Sequence, residues 1–209
     1  MARNTGSRTK LSRRVGKNLF LKGQRSFSAK DDYTKKPFKV LKKGKRPPTL
    51  SEYGKQLKEK QTVKFTYGIL ERQFTNLFKK AFRVKEDTGS TALILLELRL
   101  DNIVYKAGLA NSRYQSRQLV NHGHFLVNGI KATIPSMTLK AGDVISVKPN
   151  KLKKAFWQNF TLEVPNDVPA WLEKNKDFEV KVINQPLKED LPQDFNITAI
   201  VEYYSNKVA

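Results

Sequence analysis

The first fifty residues hold 16 Lys and Arg against 2 Asp and Glu, and that density limits what this stretch can fold into. Its apolar residues stand singly, in pairs or in the short Leu19-Phe20-Leu21 cluster. They are too few to offset the roughly 1–2 kcal/mol that fixing each backbone residue costs. Lys42-Lys43-Gly44-Lys45-Arg46-Pro47-Pro48 closes the segment with charge and a rigid break. Residues 1–48 therefore read as a basic arm ordered by its partner. The 209-residue chain as a whole carries a net charge of +21, and an excess of that size calls for a polyanion.

Nucleic acid fits that requirement better than a membrane does. The longest wholly apolar run covers residues 92–96, far short of the roughly 20 needed to span a bilayer. No apolar core follows the basic start, as it would in a secretory signal; the Arg- and Ser-rich opening suits an organellar transit peptide, the lesser alternative. Cysteine is absent, which excludes disulfide scaffolds, Cys-ligated zinc, iron–sulfur clusters and cysteine nucleophiles. The expected class is a cytoplasmic protein bound to nucleic acid.

From Thr49 the pattern becomes helical. Thr49-x-x-Glu52 reads as a capping box opening a helix that runs to about Tyr67. A second helix is expected near 69–84, with Leu70, Phe74, Leu77, Phe78 and Ala81 on its apolar stripe. Residues 49–92 form a helical lobe, completed by a last helix at about 194–205. Residues 93–150 are the most legible unit. A helix at 93–107 ends at Gly108, Ser112 caps a helix at 113–121, and Asn128-Gly129 between apolar residues is a strong hairpin signal. Residues 143–147 alternate like a strand, and 151–193 extend the unit with strand-like runs such as 178–182. The fold class is α+β: a basic extended N-terminal arm, a helical lobe, and two helices on a small, mostly antiparallel sheet.

Arg113 and Arg117 lie one turn apart on a capped helix, with Gln118 and His122 close by, an arrangement suited to phosphate. His122 and His124 are the only histidines. With no Cys, and no Asp or Glu between Asp101 and Asp143, they read as a helix-end and strand-start pair, and no metal site is expected. Neither nucleotide-binding glycine motifs nor a nucleophile elbow occurs, so no cofactor and no small-molecule substrate is expected. Among aromatics interleaved with basic residues (Tyr33, Tyr53, Tyr67, Phe74, Tyr105, Tyr114), some are placed to stack on bases. Phe74 and Phe78 read as core.

These residues resemble the family of the fourth protein of the bacterial small ribosomal subunit, the S-four family, in a cysteine-free form. The unit at 98–150 is similar to the RNA-binding module named after that family, through Arg99-Leu100-Asp101-Asn102, Tyr105, Gly108, Arg113, Arg117-Gln118-Leu119-Val120, His122 and Val127-Asn128-Gly129. More specific are LSRR at 11–14, LSEYGKQLKEKQ at 50–61, YGILERQF at 67–74, PAWLE at 169–173 and IVEYYS at 200–205. Many relatives hold zinc with an N-terminal cysteine cluster, which this chain lacks, and residues 24–47 depart from the family pattern.

The resemblance implies a structural, non-enzymatic constituent of the small subunit: a primary rRNA-binding protein that binds a 5′-domain junction of 16S-type rRNA and nucleates assembly of the subunit body. It further implies contact with the fifth small-subunit protein, a place with a neighbouring protein where mRNA enters, contact with that mRNA, and a part in translational accuracy. The residues expected to meet RNA are Arg3, Lys10, Arg13, Arg14, Lys22, Lys43, Lys45, Arg46, Tyr53, Lys55, Lys58, Lys64, Arg72, Arg113, Arg117, Gln118, His122, Asn128 and Lys131. The alternative is an enzyme carrying the same module. Arg99-Leu100-Asp101 is similar to the R-L-D of pseudouridine synthases, whose Asp is catalytic. Here the triplet lies inside the small module, and Asp101 reads as a local partner for Arg99 or for backbone amides.

Overall fold

A computed structural model describes residues 6–36, 49–84, 87–161, 167–175 and 178–208. The elements are α1 (Arg8–Val15), α2 (Asp32–Lys35), α3 (Glu52–Thr66), α4 (Glu71–Ala81), α5 (Thr88–Glu97), α6 (Leu100–Lys106), α7 (Arg113–Asn121), β1 (Phe125–Val127), β2 (Ile130–Ala132), β3 (Val144–Val147), α8 (Pro149–Leu152), α9 (Ala155–Gln158), β4 (Leu172–Lys174), β5 (Glu179–Val182) and α10 (Ile197–Val208). Two compact units result, one of residues 1–92 with 192–209 and one of residues 93–191.

In the first unit, α3, α4 and α10 surround an aromatic core. The α4 stripe buries Phe74, Phe78 and Ala81. The Tyr204 ring of α10 stacks on Phe78 at 4.7 Å between centroids and meets Phe74 edge-on at 5.8 Å. Burying one such side chain stabilises a fold by about 1.5–3 kcal/mol. The α3 cap is Ser51, whose Oγ accepts from the Gly54 amide at 3.2 Å, so the capping box expected from Thr49 does not form. Gly89 allows α5 to begin against α10, because a Cβ there would overlap Ile197 Cγ2.

Residues 7–36 depart from the extended arm expected of them. Leu11 and Val15, one turn apart on α1, are buried together with Leu19 and Leu21, and α1 packs on α3. Polar staples supply what the sparse apolar residues cannot. Arg13 donates through Nε to the Lys36 carbonyl (2.7 Å) and through a terminal nitrogen to the Asp32 carbonyl (2.6 Å). Lys22 pairs with the Asp32 carboxylate at 2.7 Å, and Asp31 caps α2 by accepting from the Tyr33 amide.

The second unit packs α6 and α7 against a five-stranded sheet of order β2-β1-β3-β5-β4, with every adjacent pair antiparallel. Ile103, Val104, Leu119 and Val120 from the helices share one core with Phe125, Ile145, Val147, Val180 and Val182 from the strands. The Asn128-Gly129 turn has positive φ at both residues, 49° and 79°, the type I′ geometry that matches strand twist. Ser112 caps α7 by accepting from the Gln115 amide at 3.2 Å. The single helix expected at 93–107 is instead broken at Leu98–Arg99. Arg99 bridges to Thr138, Leu100 N donates to the Met137 carbonyl, and Leu139 N donates to the Leu98 carbonyl. Pairing with a segment almost forty residues away thus outcompetes continuation of the helix.

Candidate nucleic-acid interface

The break between α5 and α6 gathers a buried polar group. Asp101, in the first turn of α6, accepts from Arg99 twice, Nε to Oδ1 at 3.0 Å and Nη2 to Oδ2 at 2.8 Å. Arg117 of α7 approaches the same carboxylate at 3.6 Å. All three side chains are at most 7% exposed. The Ser116 hydroxyl donates a short bond to the Asp101 carbonyl, joining α7 to α6. A buried carboxylate answered by two guanidinium groups is an internal brace. It is not the accessible nucleophile that the synthase alternative requires.

Beside the brace, Asn102 is fixed by Glu97. Its Nδ2 donates to a Glu97 carboxylate oxygen at 2.7 Å, which turns Oδ1 toward Arg113, whose Nε donates to it at 2.8 Å. The Arg113 guanidinium lies 4.6 Å from the centre of the Tyr105 ring, a cation–π arrangement that flattens it on the half-exposed aromatic. Gln118 and His122 continue the exposed side of α7. Arg113 and Arg117, expected to act as a pair, therefore differ in depth. Arg113 is half-buried at the surface, whereas Arg117 is buried and engaged inside.

Other candidates divide similarly. Lys10 and Arg14 of α1 are exposed, while Arg13 and Lys22 are committed to the staples around Asp32. Tyr53 is 57% exposed and rests against Tyr203. Lys55 pairs with Glu52 at 2.6 Å on the surface, Lys58 lies half-buried near Gly16, and Arg72 is exposed. Lys64 is held by Glu71 at 2.7 Å. Asn128 serves the hairpin, its Oδ1 accepting from the Val144 amide and its Nδ2 donating to Asp143. Lys131 is exposed on β2. Arg3, Lys43, Lys45 and Arg46 lie outside the described residues.

Glu71 was missed from sequence. It accepts from Lys60 and Lys64, each at 2.7 Å, and from the Tyr204 hydroxyl at 3.0 Å. Burial alone would raise its pKa. The two lysines outweigh burial and hold it at about 2. Its neighbour Tyr204 has its phenol pushed up, first by burial and then by the Glu71 charge. No local signal marks Glu71, because the four residues come from three separate helices. His124 is buried, with Nδ1 accepting from Trp157 Nε1 at 2.8 Å. Burial first, then Lys151 and Lys154, lower its pKa and keep it neutral. Among the described residues no cluster of metal-ligating side chains occurs, and no helix is long and apolar enough to cross a membrane.

Comparison with known proteins bears directly on this arrangement. Residues 3–97 match the ribosomal protein S4/S9 N-terminal domain, and residues 98–145 match the S4 domain. The chain is 46% identical to small ribosomal subunit protein uS4A of Clostridium acetobutylicum over 98% of its own length and 100% of the relative's. It is 44% identical to uS4 of Clostridium tetani and 45% identical to uS4 of a Thermoanaerobacter species (strain X514), with the same coverage of both chains.

Proposed function

Since the chain belongs to the uS4 family of small ribosomal subunit proteins, we propose that its surface cations hold a folded, multi-helix region of the subunit's rRNA. It is a structural, RNA-binding constituent of the small subunit and not an enzyme. The finer reading is that it is a primary binder of a junction in the 5′ domain of 16S-type rRNA, and that it nucleates assembly of the subunit body. The same reading assigns it contacts with the fifth small-subunit protein, with a neighbouring protein where mRNA enters and with that mRNA, an influence on translational accuracy, and a cytoplasmic location.

The observation that carries this reading is the mounting of Arg113. Tyr105 beneath it and Asn102 beside it, itself oriented by buried Glu97, fix the orientation of the guanidinium. A preoriented guanidinium suits phosphate oxygens. On a scaffold this basic, phosphate contacts supply affinity while RNA shape supplies selection. Full-length protein mixed with small-subunit rRNA should protect a compact 5′-domain junction from chemical probing and co-sediment with small subunits. Protection scattered over all accessible helices would contradict the junction.

A further inference from the structure

One group of cations lies apart from those expected to meet RNA on sequence grounds. Lys148, Lys151, Lys153 and Lys154 fall within seven consecutive positions, from the residue that precedes α8 to the one that precedes α9. Lys131 of β2 is close enough to influence Lys151 electrostatically. Between Asp101 and Glu163 the sequence has one acid, Asp143. Its carboxylate is already engaged by Asn128 Nδ2 at 2.8 Å and the Lys140 amide at 2.7 Å. Among the described residues, none of these five lysines makes an ion pair.

The cluster is also firmly mounted. Lys148 N donates to the His124 carbonyl at 2.8 Å, Lys151 N to the Lys148 carbonyl at 2.8 Å, Lys154 N to the Lys151 carbonyl at 3.0 Å, and Trp157 N to the Lys154 carbonyl at 2.9 Å. Trp157 is buried, bonded through Nε1 to His124 and edge-on to both Phe125 and Phe178. The short helices are therefore pinned to the sheet at both ends, and their lysines cannot spread apart by moving the backbone. Lys131 connects them to the end of α7, since a Cβ at Gly123 would lie 2.7 Å from its Cε. Crowded like charges raise the energy of the free protein. Nothing described on the chain relieves these.

We propose that Lys148, Lys151, Lys153 and Lys154, with Lys131 beside them, form a phosphate-binding site that takes a stretch of RNA sugar–phosphate backbone and extends the α7 face. The inference rests on the rRNA reading above. Lysine ammonium groups are hydrated point charges without the planar fork of arginine, so this site adds affinity and carries no base preference.

The test uses the full-length chain and its Lys148→Gln/Lys151→Gln/Lys153→Gln/Lys154→Gln variant, with two probes: a small-subunit 5′-domain rRNA transcript and an unrelated RNA duplex. Across a salt series, the variant's slope of log K against log salt should flatten by about 2 on both probes. Its affinity for both should fall by the same factor, on the order of tenfold or more, leaving the preference between probes intact. The thermal midpoint should hold or rise as repulsion is removed. An unchanged slope overturns the site, as does a selective loss on the transcript alone. Loss of binding to phosphatidylserine vesicles with RNA binding unaltered would also overturn it, assigning the lysines to a membrane. If the wild-type protein shows no preference for the transcript, the rRNA reading fails, while the slope on the duplex still decides the site. Should the variant not fold, amine acetylation of the wild-type protein read by mass spectrometry replaces it. The four lysines are expected to lose reactivity when RNA is bound, and undiminished labelling overturns the proposal.

Discussion

Glu71 in the first unit and Asp101 in the second both gather cations, but at different depths. Glu71, its side chain 43% exposed, joins Lys60 and Lys64 of α3 to the Tyr204 hydroxyl of α10. It thereby ties the chain's last helix to residues well over a hundred positions earlier. Asp101, 6% exposed, joins only near neighbours in sequence, Arg99 and Arg117. Water can replace part of what Glu71 provides, whereas it has little access to the two guanidinium groups around Asp101. The contrast teaches how to read basic residues in a chain of net charge +21. A lysine or arginine reached by a buried carboxylate, as Arg99 and Arg117 are, braces the fold, and its charge alone does not mark it as an RNA contact.

If depth sets the cost, Asp101→Ala should be the most damaging change, destabilising the protein by about 3–5 kcal/mol in urea unfolding because two buried charges lose their counterion. Arg117→Ala removes one of two cations and leaves Asp101 with Arg99, so about 1–3 kcal/mol is expected. Glu71→Gln should cost about 1–2 kcal/mol, reduced by its solvent exposure yet kept above a surface pair by buried Lys60. Equal losses for Asp101→Ala and Glu71→Gln would erase the distinction.

The pH dependence sharpens the same comparison. Glu71 has a folded pKa of about 2 against 4.5 ordinarily. Its depressed value means that its contribution is complete above about pH 4.5 and is lost as the pH falls toward 2. After discounting for exposure, that loss should be about 1 kcal/mol. Stability measured from pH 6 to pH 2 should decline less steeply in Glu71→Gln than in the wild type. Arg113→Ala, which gives up the bond to Asn102 Oδ1 and the Tyr105 contact, should change stability least, by about 1 kcal/mol.

Much of the second unit was legible from local signals. Ser112 as a cap, the bounds of α7 and the Asn128-Gly129 turn depend on residues adjacent in sequence, and each is present. The apolar stripe of α4 likewise put Phe74 and Phe78 in the core. What escaped is made by distant partners. The break at Leu98–Arg99 is caused by residues 134–139, and the folding of residues 7–36 depends on Arg13 and Lys22 converging on Asp32. Helical spacing placed Arg113 and Arg117 on one side of α7 but could not say that Arg117 is buried against Asp101. The lysines at 148–154 went unremarked because their significance is that no ion pair reaches them among the described residues, visible only once the neighbours are placed.

The division between internal and RNA-facing cations is tested most directly by measuring rRNA affinity across a salt series for Arg113→Ala and Arg117→Ala beside the wild type, at a temperature where all three are folded. Arg113→Ala should flatten the slope of log K against log salt by about 1, as expected when a single phosphate is no longer neutralised, and lower the thermal midpoint by less than Arg117→Ala does. Arg117→Ala should lower the midpoint and leave the slope as it was. A flattened slope in Arg117→Ala with an undisturbed midpoint would contradict the account, because the residue would then be meeting RNA rather than bracing Asp101.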